Sequence, residues 1–253
     1  MKLSELYSFL NESIPPSLSA DWDNDGIMFA PDGEKQVKKV LLALDANLPT
    51  ARKAIEEKAD LVITHHPLLF HPVSHLSFAD KTQNALSLFA ASGIPVFSFH
   101  TRLDAVENGV NDILADLFGI RERHFLCEVG RAGVLKNEMP SDAFARLVGE
   151  KLGSDRLSFL LPRTFSHKIA FVGGSGRHCL PELIDNGIDT FVTGETSFDE
   201  ENAFFDAGIN LICAGHYFTE APVLHHLKDL LLFADPNLFV SIFNSNVMNG
   251  GSH

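Results

Sequence analysis

Short, wholly apolar runs alternate with amphipathic segments along this chain. Residues 40–44, 61–64 and 95–99 are rich in Val, Ile, Leu and Phe with hardly a polar interruption. That is how strands buried on both faces of a parallel sheet read. Between them lie helical stretches. One is opened by Pro49 and runs to about residue 58, since proline suits a first turn. Another spans 81–91 and ends near Gly93, and a third spans 108–118 before Gly119. An amphipathic helix over the first dozen residues stops before Pro15-Pro16. A polar turn, Asp21-Trp22-Asp23-Asn24-Asp25-Gly26, follows it. The same grammar then repeats. Residues 126–135 read as strand and turn, and 141–152 as a helix with Ser141 as N-cap. Strands are expected over 167–172, 189–193, 209–214 and 238–243, and helices over 179–186, 198–207 and, as one long element, 218–233. Strands alternating with helices predict an α/β protein with mainly parallel, mixed sheets.

The two passes can be laid on one another. Lys39-Val40-Leu41-Leu42-Ala43-Leu44 resembles Lys168-Ile169-Ala170-Phe171-Val172-Gly173, and Asp60 to His66 resembles Asp189 to Glu195. Gly93 to His100 resembles Gly208 to Ala214 followed by Gly215 and His216. An acid follows each histidine four residues on, Asp104 after His100 and Glu220 after His216. The order of these matches argues for two similar α/β halves. The expected division is 1–125, joined by the C-terminal segment 234–253, and 126–233, with no room for an inserted domain between Gly119 and Ser141.

Composition narrows the function. A formal net charge of -13 disfavours general affinity for nucleic acid or an anionic membrane. Cys127, Cys179 and Cys213 form no C-x-x-C pair, which argues against thiolate zinc sites and a disulfide framework and suits a reducing cytoplasm. Residues 1–13 lack the continuous apolar run of a signal peptide, and no membrane span is expected from the apolar stretches.

The candidate chemistry sits at strand ends. Ile63-Thr64-His65-His66-Pro67 closes a buried strand with two imidazoles, because Pro67 cannot extend it. Ligands of open α/β sheets bind at that edge. Asp104, His216 and Glu220 lie just past other strand ends, with His100 and Glu195 close behind. Imidazole and carboxylate without thiolate suit zinc, iron, manganese or cobalt. Five such ligands exceed what one catalytic ion takes and fit two. His216 and Glu220 are four apart, so one helix face carries both; a helix-dipole role for Glu220 is the competing reading. Gly173-Gly174-Ser175-Gly176 is read as a tight turn ahead of a phosphate cradle, since it lacks the Lys and Ser/Thr of a P-loop. His71, His75, His225 and His226 are read as loop or surface residues, and Cys213 as a core residue.

Trp22-Asp23-Asn24-Asp25-Gly26, Ile63 to Pro67, His100-Thr101-Arg102-Leu103-Asp104, Thr193-Gly194-Glu195 and Ala214 to Glu220 together resemble the Nif-three-like family. Bacterial members of that family are often named GTP cyclohydrolase I type 2 homologues. The motifs come in the family's order and span nearly the whole chain. The resemblance implies a dinuclear metal site on His65, His66, Asp104, His216 and Glu220, with His100 in the active-site cleft. It implies two interlocked α/β domains and a homohexamer built as a trimer of dimers. Asp25 stands where the family usually has a small apolar residue.

The expected activity is that of a hydrolase in which a pair of ions lowers the pKa of water. That water would open the ring of a purine nucleotide while His100 or Glu195 moves protons. Arg102, Lys81, Arg131 and Arg177 are candidate triphosphate contacts. The alternatives are a metal chaperone or regulatory module without catalysis, and a dinuclear phosphoesterase.

Overall fold

A computed structural model describes residues 1–73, 77 and 80–246; His75 and the last residues of the 234–253 segment lie outside them. In chain order the elements are α1 (Leu3–Ser13), β1 (Gly26–Phe29), β2 (Lys39–Ala43), α2 (Leu48–Glu57), β3 (Leu61–Thr64), α3 (Lys81–Ser92), β4 (Val96–Ser98) and α4 (Thr101–Ala105). Then come α5 (Val110–Leu117), β5 (Arg121–Leu126), β6 (Gly130–Pro140), α6 (Ser141–Leu152), β7 (Ser158–Leu160), β8 (Phe165–Ser175) and α7 (Leu180–Asp185). The chain closes with β9 (Thr190–Glu195), α8 (Phe198–Ala207), β10 (Asn210–Cys213), α9 (His216–Glu220), α10 (Val223–Ala234) and β11 (Phe239–Ile242).

The chain forms two compact units, Met1–Val106 with Leu224–His253, and Glu107–Val223. The first boundary falls at 106/107 and not at 125, because α5 packs on β6 and β8. Buried Asn111 on α5 is satisfied by that sheet: its amide donates to the Val129 carbonyl at 3.0 Å and its oxygen accepts from Gly173 N–H at 2.8 Å. The second boundary falls at 223/224, so α10 belongs with the first unit, as does β11, which pairs with β2.

The first unit holds a mixed sheet in the order β1-β4-β3-β2-β11, and the second a mixed sheet in the order β5-β6-β8-β9-β10-β7. Four strands match between them. β1 lies antiparallel to β4, which is parallel to β3 and then β2; β7 lies antiparallel to β10, which is parallel to β9 and then β8. Register matches as well. Val40 pairs with Leu61 as Ile169 pairs with Thr190, and Val62 with Val96 as Phe191 with Leu211. Asp60 accepts from the N–H groups of Lys38 and Lys39, and Asp189 from those of His167 and Lys168. These are the pairs that the aligned sequence segments imply. One match needs correcting. The Leu103 and Asp104 N–H groups donate to His100, whereas those of Phe218 and Thr219 donate to Gly215. Gly215 therefore holds the place of His100, and His216 lies one residue beyond it.

Continuous apolar runs build a separate core in each unit. Val62, Phe89 and Val96 anchor one, and Ala170, Phe191 and Leu211 the other. Phe191 stacks on Phe204 at 5.6 Å. Each fully buried Phe contributes about 1.5–3 kcal/mol.

Two local expectations fail for identifiable reasons. The stretch 218–233 is two helices, because Pro222 lacks an N–H and its ring clashes with the carbonyl four residues back. Ser141 is the first helical residue and Pro140 the N-cap. The Ser141 hydroxyl instead accepts from Ser166 Oγ and Asn210 Nδ2 in a buried knot that includes Thr190. Among the described residues, no helix is long and apolar enough to cross a membrane.

Candidate metal centre

In the first unit β3 delivers His65 and His66 past its last residue, still hydrogen-bonded to the main chain of residues 43 and 44. His65 is fully buried. Its Nδ1 lies 2.9 Å from the Phe99 carbonyl. A carbonyl can only accept, so Nδ1 carries the proton and Nε2 the lone pair. That Nε2 is 3.6 Å from Asp104 Oδ1 on α4. His66 Nδ1 donates to Asp45 Oδ1 at 2.9 Å. His100, the residue before α4, donates from Nδ1 to Asp23 Oδ1 at 2.8 Å. The Asp23 side chain is buried. Burial alone would push its carboxyl up, but hydrogen bonds from His100 and Thr101 outweigh it and hold the group well below the usual carboxylate range. Ligand atoms of His65, His66 and His100 all lie within 4.8 Å of one another.

In the second unit β9 delivers Glu195, and the turn after β10 delivers α9. His216 Nδ1 lies 3.2 Å from Glu195 Oε1, and its Nε2 lies 3.1 Å from Glu220 Oε1, one helical turn on. Glu220 is buried. The glycine turn after β8 makes room for this pair. A Cβ on Gly174 would sit 2.2 Å from Glu220 Oε1 and 3.0 Å from His216 Nε2, and its φ is +66°. Backbone N–H groups of that turn are engaged elsewhere, Gly173 with Asn111, Gly174 with Thr219 Oγ1 and Gly176 with the Glu195 carbonyl. The Gly-Gly-Ser-Gly turn is thus built around His216 and Glu220, which leaves little for a phosphate.

The expected residues are therefore assembled within each unit: His65, His66, His100 and Asp104 in the first, Glu195, His216 and Glu220 in the second. The donors fit divalent transition metals, being imidazoles and carboxylates without thiolate. Each of the four histidines has Nδ1 engaged by an oxygen, which leaves Nε2 on the far side of the ring from that oxygen; metal-ligating histidines are held this way. Asp23 and Asp45, which hold His100 and His66, are absent from the sequence-based site. Asp45 stands just past the end of β2, as the histidines stand past β3, and that shared position was the available signal. Two candidate triphosphate contacts are corrected. Arg102 is buried and spends its guanidinium on Asp25, Asn11 and the Ile14 carbonyl. Arg131 is buried against Asp112. The acid at position 25 is thereby accounted for: it neutralises Arg102.

A mixed α/β chain carrying imidazole–carboxylate clusters at its strand ends has the donor set of a metal-binding protein. The chain belongs to the Duf34/NIF3 (NGG1p interacting factor 3) family, whose sequence model matches residues 1–249. A GTP cyclohydrolase 1 type 2 homolog of Clostridium perfringens is 30% identical over 233 residues, covering 88% of either chain. A NIF3-like protein 1 of Drosophila melanogaster is 26% identical and covers 91% of this chain and 82% of its own. Among solved structures, reduced HcgD from Methanocaldococcus jannaschii matches with a TM-score of 0.86 at 25% identity, covering 96% of this chain and 97% of that one. TTHA1606 from Thermus thermophilus matches at 0.84 and 26%, covering 96% and 98%.

Proposed function

We propose that the chain is a hydrolase that uses two divalent metal ions, with His65, His66, Asp104, His216 and Glu220 as ligands and a purine nucleotide as substrate. The observation that carries this reading is the common fixing of Nδ1 on His65, His66, His100 and His216 by oxygen acceptors. The names of the relatives support the substrate class. Bound ions would supply Lewis acidity and lower the pKa of water. The chain itself contributes tautomer control and proton transfer. Asp23 keeps the proton of His100 on Nδ1, so Nε2 accepts a proton from the reacting water and returns it to the leaving nitrogen. Glu195 orients the His216 ring through Nδ1, and Glu220 faces its Nε2.

The test is to supply metal, incubate the protein with a panel of nucleotides and pterins, and follow products by mass spectrometry. Ring-opened product that disappears in His65→Ala and Glu220→Ala is expected. The burial of Arg102 and Arg131 favours a second reading, a metal carrier without catalysis. Rapid metal exchange with no product from any compound would establish that reading and refute the hydrolase.

A further inference from the structure

Beside His100 two aromatic side chains stand in solvent. Trp22 is 61% exposed and Phe70 42%. Their rings are 6.0 Å apart and tilted by 38°, and each presents itself to the His100 ring at 6.1 Å and 77°. Large apolar rings left in water are costly, and adjacent ones normally collapse onto a core or mark a binding surface. Here the backbone holds them out. Between Trp22 and Phe70 the chain is clamped at two points. Asp23 is buried and accepts from His100 Nδ1, Thr101 N–H and Thr101 Oγ1. Asn24 donates to the Leu69 carbonyl, joining the Trp22 turn to the Phe70 segment. The same short turn thus fixes the proton-carrying imidazole and the two rings next to it.

We propose that Trp22 and Phe70 form a stacking platform that holds the planar heteroaromatic ring of the substrate against His100. This rests on the proposed hydrolase and names what that site recognises. Two observations favour a flat ring over a phosphate chain. The platform is aromatic and edge-on to an imidazole, so a planar ligand can lie on a π-face while its rim meets Nε2. The nearby guanidinium, Arg102, is buried and committed to Asp25. Discrimination therefore rests on the base, and a nucleoside binds nearly as well as its triphosphate.

Trp22 is the one tryptophan of the chain, so its fluorescence reports the platform directly. Zinc-loaded full-length protein is titrated with guanosine, GTP, ribose 5-phosphate and inorganic triphosphate. Saturable quenching by guanosine and GTP, with none by the two ring-free compounds, is expected. By calorimetry, Trp22→Ala and Phe70→Ala should each weaken guanosine binding by about tenfold or more, and Trp22→Phe should largely restore it. Equal response to inorganic triphosphate, or no saturable response to guanosine at millimolar concentration, overturns the proposal. So does a fall in oligomeric mass in Trp22→Ala with guanosine affinity unchanged, which would make the rings a contact between copies. Turnover with a silent Trp22 removes the platform and leaves the hydrolase. A responsive Trp22 without turnover keeps the platform and removes the hydrolase.

Discussion

The Asp23–His100 pair shows how much of the candidate site is decided by single atoms. An ionised carboxylate only accepts, so Asp23 dictates which imidazole nitrogen is protonated. Replacing it by Asn keeps the shape but offers the ring either a donor or an acceptor. Asp23→Asn is expected to lower turnover by about 10–100-fold, the usual penalty for losing such a partner. Nitrogen NMR of labelled histidine should show His100 leaving the single tautomer of wild type; an unchanged tautomer with lost activity would make Asp23 merely structural. Cys213 illustrates the opposite case. Burial pushes its thiol up to about 12. The folded state binds that proton more tightly than the unfolded chain, so the stabilisation is complete at neutral pH and is lost only as pH rises from about 8.5, the unfolded value, towards 12. Native Cys213 should resist iodoacetamide at pH about 8 and react once denatured. Alkylation of the native protein at that position would show that the thiol is accessible.

At the scale of elements, helix starts and tight turns carry the argument. In α8 the Glu200 carboxylate accepts from Ser197 N–H and Oγ and from His178 N–H. Burial alone would raise its pKa, but these bonds hold it below the usual range. A depressed carboxylate stabilises the fold above its unfolded pKa and loses that contribution as pH falls. Glu200→Gln is therefore expected to cost a few tenths of a kcal/mol near neutrality, since water screens so accessible a carboxylate, and progressively less below pH about 4. Urea denaturation at the two pH values measures it, and an equal cost at both would contradict the assignment. Gly174 makes a sharper prediction. Alanine there meets a positive φ and two candidate ligand atoms at once, so Gly174→Ala should weaken metal binding by at least about tenfold. The reference is Gly208→Ala, which has an equally positive φ and nothing within 4 Å of a new Cβ. If both variants bind metal alike, Gly174 does not cradle the pair.

For the whole molecule the expectations concern metal and assembly. Asp104 is buried on α4 beside His65. Ions that bind only the native state raise stability by mass action, so added metal should raise the melting temperature of wild type. Asp104→Ala should lose that rise while melting near wild type when both are metal-free, because the truncation removes a carboxylate and not an apolar core group. A mutant that melts far below wild type without metal would make Asp104 structural. The resemblance to the family leads us to propose a homohexamer, and light scattering should return about six times 27.8 kDa. A monomeric mass at micromolar concentration would refute it.

Much of this is legible in the sequence. Continuous apolar runs located β2, β3, β4, β8, β9 and β10, and their order and flanking acids located the duplication down to the register of its strand pairs. A strand buried on both faces is specified by its own residues, since only apolar side chains satisfy both. The strand-end histidines were legible for the same reason: a proline or a polar turn must end such a run. Other features depend on partners distant in sequence. β1 and β7 are three or four residues long and half-exposed, and they become strands only because β4 and β10 offer a free edge. Asp23 and Asp45 look like turn residues until the fold brings His100 and His66 to them, 77 and 21 residues away. Arg102 and Arg131 look like free cations until burial forces them onto Asp25 and Asp112. Local pattern determined the strands and where their ends fall. Which acid meets which base is a matter of three-dimensional proximity, and only the tertiary structure decided it.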